Sequence, residues 1–248
     1  MFNFAVHEER VGKNPVAGIM AIAKEEPRDR ILSDDELRAL WSALLNPSGL
    51  VVKEARSTKP LWISPAVLIA LRLSVLTLQR RTEVAGMRRD ELRLDEGVWV
   101  IGKERTKNGK AHLVPLSAPA LALVRQALAL TSGDEPSDFV FPSPWKKLQG
   151  QPIDGGALSH ALSDVYSAIG IQGANFHDLR RTGASAMASE RLLVAPIVIS
   201  RVLNHTMDGG GGAMVTARHY AVHDYAKEKR PALEAWASLL QTIVTDAA

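Results

Sequence analysis

The residues with most chemistry to offer fall in four stretches: Arg80 to Lys110, HDLRRTGAS at 177–185, LNHT at 203–206 and TARHYAVHDY at 216–225. The first holds nine Lys/Arg against six Asp/Glu, a surplus of three that equals the net charge of the whole chain. Cations on a helix end and a hairpin suit a surface that faces phosphates; the same pattern suits a solvated charged face, and charge alone leaves both readings open. His219 and His223 stand at i, i+4 and could meet a metal ion on one helix face. No glutamate lies between them and no third ligand is evident, so a zinc site is not expected. The run Gly209 to Gly212 lacks the Lys-Ser/Thr that follows the glycines of a phosphate loop, so nucleotide binding is not expected and the run reads as a flexible loop. Tyr166 shares an apolar helical face with Leu162 and Ile169 and reads as core, and Tyr225, after Asp224 at a helix start, reads as packing.

The chain that must position these groups has 248 residues, 46% hydrophobic and 23% charged, an ordinary globular composition with room for one sizeable core plus an appendage. A net charge of +3 is too small to imply a nucleic-acid partner by itself. Without cysteine there is no disulfide scaffold, thiolate metal site or cysteine nucleophile. The start, MFNFAVHEERVGKNP, has no apolar run of signal-peptide length. The most apolar segment, Trp62 to Leu78, is interrupted by Pro65 and by Arg72, whose charge would be costly in mid-bilayer; it reads as a buried helix, and no membrane partner is expected.

Residues 1–30 read as a short helical end, Phe2 to Arg10, followed by a Pro/Gly and charge-rich linker. Ser33 with Glu36 forms a capping box ahead of the stripe Leu37, Leu40, Trp41 and Leu44, which predicts a helix ending near Asn46-Pro47. Helices follow from Pro65 to about Leu78 and from Thr82 to Met87. The period then shortens to about two, and Asn108-Gly109 separates the last two apolar runs, predicting a three-stranded antiparallel sheet at about 91–116. Helices are expected at about 118–131, 156–169, 177–190, 195–204 and 222–243, with Pro231 breaking or restarting the last. The stripe Leu233, Trp236, Leu240 and Ile243 reads as core-facing.

Taken in order, LTLQRRTEVAGM (76–87), ERTKNGKAHLVPLS (104–117), HDLRRTGAS, LNHT and TARHYAVHDY resemble the catalytic domain of the phage integrase, or tyrosine recombinase, family, closest to the integrases of genomic islands and satellite phages. The resemblance spans about residues 30 to 240. It implies an α+β, mostly helical DNA breaking-rejoining fold with the small sheet, residues 1–30 as the end of a truncated core-binding domain plus linker, and 31–248 as the catalytic domain. Residue by residue it makes Arg80 the first catalytic arginine, in an R-x-x-E pattern completed by Glu83, and Lys107 the catalytic lysine. His177 and Arg180 become the HxxR pair, His205 the later histidine and Tyr220 the nucleophile, with Tyr225 as the fallback. Two features depart from the family pattern: Leu78 stands where glycine is usual, and His205 and Tyr220 lie 15 positions apart, with four glycines between, which predicts a mobile tyrosine segment.

The implied activity is site-specific recombination: the tyrosine hydroxyl attacks a DNA phosphodiester, giving a 3′-phosphotyrosyl enzyme and a free 5′-hydroxyl. The residue types suit it. Guanidinium groups grip non-bridging oxygens bidentately at any working pH. A phenol of pKa near 10 needs a base, for which His177 is the candidate, and lysine can protonate the leaving oxygen. His205 would donate a hydrogen bond to the phosphate. No cofactor and no metal is expected. The implied partners are double-stranded attachment-core DNA, a tetrameric synapse on that DNA and DNA-bending accessory proteins, in a bacterial cytoplasm. A non-catalytic DNA-binding remnant and a type IB topoisomerase-like enzyme are the rival readings.

Overall fold

The computed structural model describes residues 2–18, 29–54, 57–131, 137–205 and 225–246. After a short α1 (Phe2–His7) the chain enters α2 (Asp34–Leu45). Ser33 Oγ accepts from the Glu36 N–H at 3.2 Å, and Glu36 Oε2 accepts from the Ser33 N–H at 2.9 Å, so both ends of the capping box close. A two-stranded antiparallel hairpin, β1 (Val51–Glu54) and β2 (Ser57–Pro60), leads to α3 (Pro65–Thr77), with Pro65 in its first turn. The sequence VVKEARSTKP has no alternation to mark this hairpin.

Helix α3 is the central pillar. Residues Ile69, Ala70, Leu71, Leu73, Val75 and Leu76 are buried on all sides, and its two interior hydroxyls are satisfied within the helix, Ser74 Oγ donating to the Ala70 carbonyl and Thr77 Oγ1 to that of Leu73, both at 2.8 Å. Around it pack α2, α4 (Arg81–Ala85), α5 (Ala118–Leu130), α6 (Gly155–Ala168), α7 (Phe176–Ala188) and the long C-terminal α9 (Ala226–Thr245), while α8 (Pro196–Val202) lies against α7 and α9.

The predicted sheet forms from β3 (Leu92–Arg93), β4 (Val98–Ile101) and β5 (His112–Pro115), in that order and antiparallel, with Trp99 opposite Leu92 on one side and Val114 on the other. The connection between β4 and β5 is not a tight Asn-Gly hairpin. A 3₁₀ turn at Lys103–Arg105 comes first, and Asn108-Gly109 sits in the next turn, closed by the Gly109 N–H on the Thr106 carbonyl at 3.2 Å, with Gly109 at φ +66°.

Pro231 does not break the last helix. It lies on the exposed side of a continuous α9, where its missing N–H and the crowding of its ring against the Lys227 carbonyl together cost about 3 kcal/mol. Burial of Leu233, Trp236, Leu240 and Ile243 offsets it, together with the indole N–H of Trp236 donating to the Val75 carbonyl at 2.9 Å. The stripe therefore faces the core of its own chain. Among the described residues no helix is long and apolar enough to cross a membrane.

Candidate active site

Arg80 ends the stretch after α3 and caps α4. Its side chain is oriented by Glu83, a carboxylate only 1% exposed: Glu83 Oε2 accepts from the Arg80 N–H and Glu83 Oε1 from Arg80 Nη1, each at 2.9 Å. One buried acid thus fixes both the backbone and the guanidinium, and Arg80 Nη2 reaches the Asn204 carbonyl at 3.2 Å.

The opposite wall comes from α7. Asn175 caps it by accepting from the His177 N–H at 2.8 Å, and Asp178, fully buried, accepts from the Asn175 N–H at 2.8 Å. Asp178 therefore does the capping expected of an acid in the first turn, and it also pairs with Arg181 at 3.2 Å. Arg180 is 3% exposed, and its guanidinium is strung between two carbonyls, Nη1 donating to Leu78 and Nη2 to Leu203, the latter at 2.7 Å. Of the five N–H donors of a guanidinium, three remain for another acceptor; Nε has no protein partner. Burial, with Arg80 adding repulsion, pushes the Arg180 pKa down to about 10, still charged at neutral pH.

Arg80, His177 and Arg180 line one cavity of about 540 Å³, together with Arg81, Asn175 and Tyr166. Tyr166 is core, as its helical face predicted; burial raises its hydroxyl well above the phenol range, with Asp178 adding to the shift. His177 is held below the ordinary histidine range by desolvation and then by Arg180 and Arg181, and His205 by desolvation and then by Arg180, Arg80 and His177. Both environments favour the neutral imidazole. Two guanidinium groups crowded against each other with neutral rings beside them make a place for an anion.

The turn at 203–205 joins the two walls and a third element. Asn204, at φ +49°, takes Arg80 on its carbonyl, and its Oδ1 accepts from Asn108 Nδ2 at 2.7 Å. This bond ties the turn carrying Lys107 to the one carrying His205. Lys107 is exposed and makes no ion pair among the described residues. The cation-rich stretch as a whole is not one phosphate-facing surface. Arg105 pairs with the buried Glu91 and donates to the Glu83 carbonyl at 2.7 Å, Arg88 pairs with Asp90 at 3.0 Å, and Arg89 donates to Thr131. Tyr220, His219, His223 and Gly209 to Gly212 lie outside the described residues. Tyr225 heads α9 with its ring 5.0 Å beneath the Arg201 guanidinium.

Three residues near the site were not among the sequence candidates, and for two of them the sequence holds no signal. Gln79, fully buried, donates to the carbonyls of Thr77 at 2.7 Å and Val202 at 3.0 Å. His112 is 5% exposed on β5, and burial followed by Lys229, Arg180 and Arg80 pushes its pKa down to about 3. Lys229, buried on α9, donates to the Leu113 carbonyl at 2.5 Å. His112 occupies an inward position of a strand, a cue that alternation alone supplies. The other two depend on contacts across more than a hundred residues. Among the described residues no group of three His, Cys, Asp or Glu could hold a metal ion.

Comparison with known proteins bears on this geometry. Prophage integrase IntA of Escherichia coli (strain K12) is 32% identical over 168 residues, covering 67% of this chain and 37% of its own. Prophage integrase IntZ of the same strain is 26% identical over 247 residues, covering 98% and 54%. The chain therefore spans about half or less of the length of these relatives. A lambda integrase tetramer bound to a Holliday junction superposes with a TM-score of 0.53 at 19% identity, covering 85% of this chain and 57% of that one, which shows a shared fold. The arginine-lined cavity, the small antiparallel sheet and helices α2 to α8 lie within residues 30–224, the stretch that matches the Phage integrase family, and to that family the chain belongs.

Proposed function

We propose that the chain is the catalytic part of a site-specific DNA recombinase that integrates or excises a mobile element through a 3′-phosphotyrosyl intermediate. The observation that carries the reading is the convergence of Arg80, His177 and Arg180 on one cavity, with guanidinium N–H groups still to be matched by an acceptor. A scissile phosphate supplies the missing negative charge, and its non-bridging oxygens match the planar donors. In the step proposed, Tyr220 Oη forms a bond to phosphorus, the bond to the 5′-oxygen breaks, His177 takes the phenolic proton and Lys107 gives one to the leaving oxygen; His205 donates to the phosphate. Desolvation and the neighbouring Arg180 and Arg181 favour the unprotonated ring of His177, the form a base needs. The bond energy stays in the phosphotyrosine, so a second strand's 5′-hydroxyl reverses the step with no nucleotide consumed.

Duplex DNA is the proposed partner. The lambda integrase tetramer on a Holliday junction suggests a tetrameric synapse here, with DNA-bending proteins assisting in a bacterial cytoplasm. The test incubates the full chain with nicked duplexes tiled across the DNA flanking its gene. The expected result is a denaturant-resistant protein–DNA adduct that is absent in Tyr220→Phe; an adduct that persists in that variant removes the assignment of Tyr220, and no adduct on any duplex counts against the enzyme.

A further inference from the structure

Leu78 and Gly183 stand behind Arg180, and the proposed chemistry uses neither. Leu78 ends α3 in the left-handed region, φ +57° and ψ +24°, with no exposed surface. A residue with a Cβ adopts that conformation only where its surroundings impose it. The source of the imposition is α7: a Cβ built on Gly183 would lie 2.5 Å from both Leu78 Cδ1 and Cδ2 and 3.0 Å from Cγ, so the isobutyl group occupies the space a side chain at 183 would need. The Leu78 carbonyl, in turn, is the acceptor for Arg180 Nη1. Had α3 continued in right-handed geometry, that carbonyl would point along the helix axis; the left-handed turn swings it off the axis. Gly183 lies one helical turn beyond Arg180, so a single helix supplies both the notch and the guanidinium.

We propose that Leu78 and Gly183 are an interlocked pair of positioning residues: the absent side chain at 183 seats that of Leu78, the seat holds the left-handed backbone, and that backbone directs the carbonyl that aims Arg180 into the cavity. The proposal rests on the reading of Arg180 as a phosphate ligand. It also explains why a bulky aliphatic residue tolerates a backbone conformation that ordinarily favours glycine.

The test compares the full chain with Gly183→Ala, Leu78→Gly and the double variant, following adduct formation on the tiled nicked duplexes at saturating DNA, DNA affinity, thermal midpoint and the ¹⁵N–¹H signals of the arginine guanidinium groups. Gly183→Ala is expected to slow adduct formation about 100-fold with DNA affinity unchanged, the scale of a small misplacement of a reacting group. It should also erase the slowly exchanging Nη signal of Arg180. The double variant is expected to return to within about tenfold of the wild-type rate and to regain that signal, because glycine accepts the left-handed backbone and the alanine methyl takes the vacated space. Wild-type cleavage by Gly183→Ala, or a folded double variant as slow as Gly183→Ala, overturns the interlock. Should Gly183→Ala fail to fold, the double variant decides alone: rescue of folding and rate supports the pair, and a folded but slow protein overturns it. A wild-type chain that forms no adduct overturns the functional reading instead, and the interlock is then judged by whether the Arg180 signal is lost in Gly183→Ala and restored in the double variant.

Discussion

Arg180 is almost fully buried and spanned between the carbonyls of Leu78 and Leu203, whereas Lys107 stands exposed in a loop tied to the rest of the site through its neighbours, Arg105 on Glu91 and the Glu83 carbonyl and Asn108 on Asn204. Both are proposed to act on the same phosphate, yet Arg180 lines the cavity and is pinned on two carbonyls, while the Lys107 ammonium stands at the surface without an ion pair among the described residues. The difference follows from what each is proposed to do. A group that stabilises charge building up on phosphate oxygens works best when its direction is set beforehand, because no reorganisation is then needed during the reaction. A group that hands over a proton must approach the leaving oxygen, and a flexible four-carbon stem on a surface loop permits that.

Weakening the fixed side should cost far more than weakening the loose one. Glu83→Gln keeps the volume of the buried acid but removes the charge that holds Arg80, and the adduct rate at saturating DNA is expected to fall about 100-fold; Asn108→Ala removes one neutral hydrogen bond, worth about 1 kcal/mol, and should slow the same step only about fivefold. Equal losses in the two variants would erase the distinction between cradle and tip.

A separate effect, of pH on stability, is expected beneath the cradle. Unfolded, His112 takes up its proton near its ordinary value of 6.5; folded, only near 3. Between those values the unfolded chain binds one more proton, so stability falls as pH falls, by about 1.4 kcal/mol per pH unit. His112→Gln should remove that part of the slope; urea unfolding of both proteins at pH 7 and pH 5 measures it, and identical slopes would mean that the folded ring titrates normally.

How much of this was legible beforehand depends on the range of the forces involved. Helices α2, α3, α5, α6 and α7 announced themselves through apolar periodicity and local caps, with Ser33 and Glu36 marking a start to the residue. The hairpin β1–β2 has no such period, and Pro231 misleads because its cost is local while the burial of Trp236 that outweighs it is not. At the site, Arg80, His177 and Arg180 could be picked out through spaced motifs. Gln79, Asn204 and the Leu78–Gly183 contact could not, since each exists only once distant segments meet. The charge count at 80–110 is correct as arithmetic and misleading as geometry, because Arg105 is taken up by buried Glu91, Arg88 by Asp90 and Arg89 by Thr131.

The contrast between fixed charge and movable proton donor is tested most directly with a duplex whose bridging 5′-oxygen at the cleavage site is replaced by sulfur. A thiol, with a pKa near 8.5, leaves without being protonated. On the ordinary duplex Lys107→Ala should be slowed at least about 100-fold, the scale of lost general-acid catalysis, and on the sulfur duplex it should cleave at the wild-type rate, while Arg180→Ala stays slow on both. A Lys107→Ala protein equally slow on oxygen and sulfur would contradict the account.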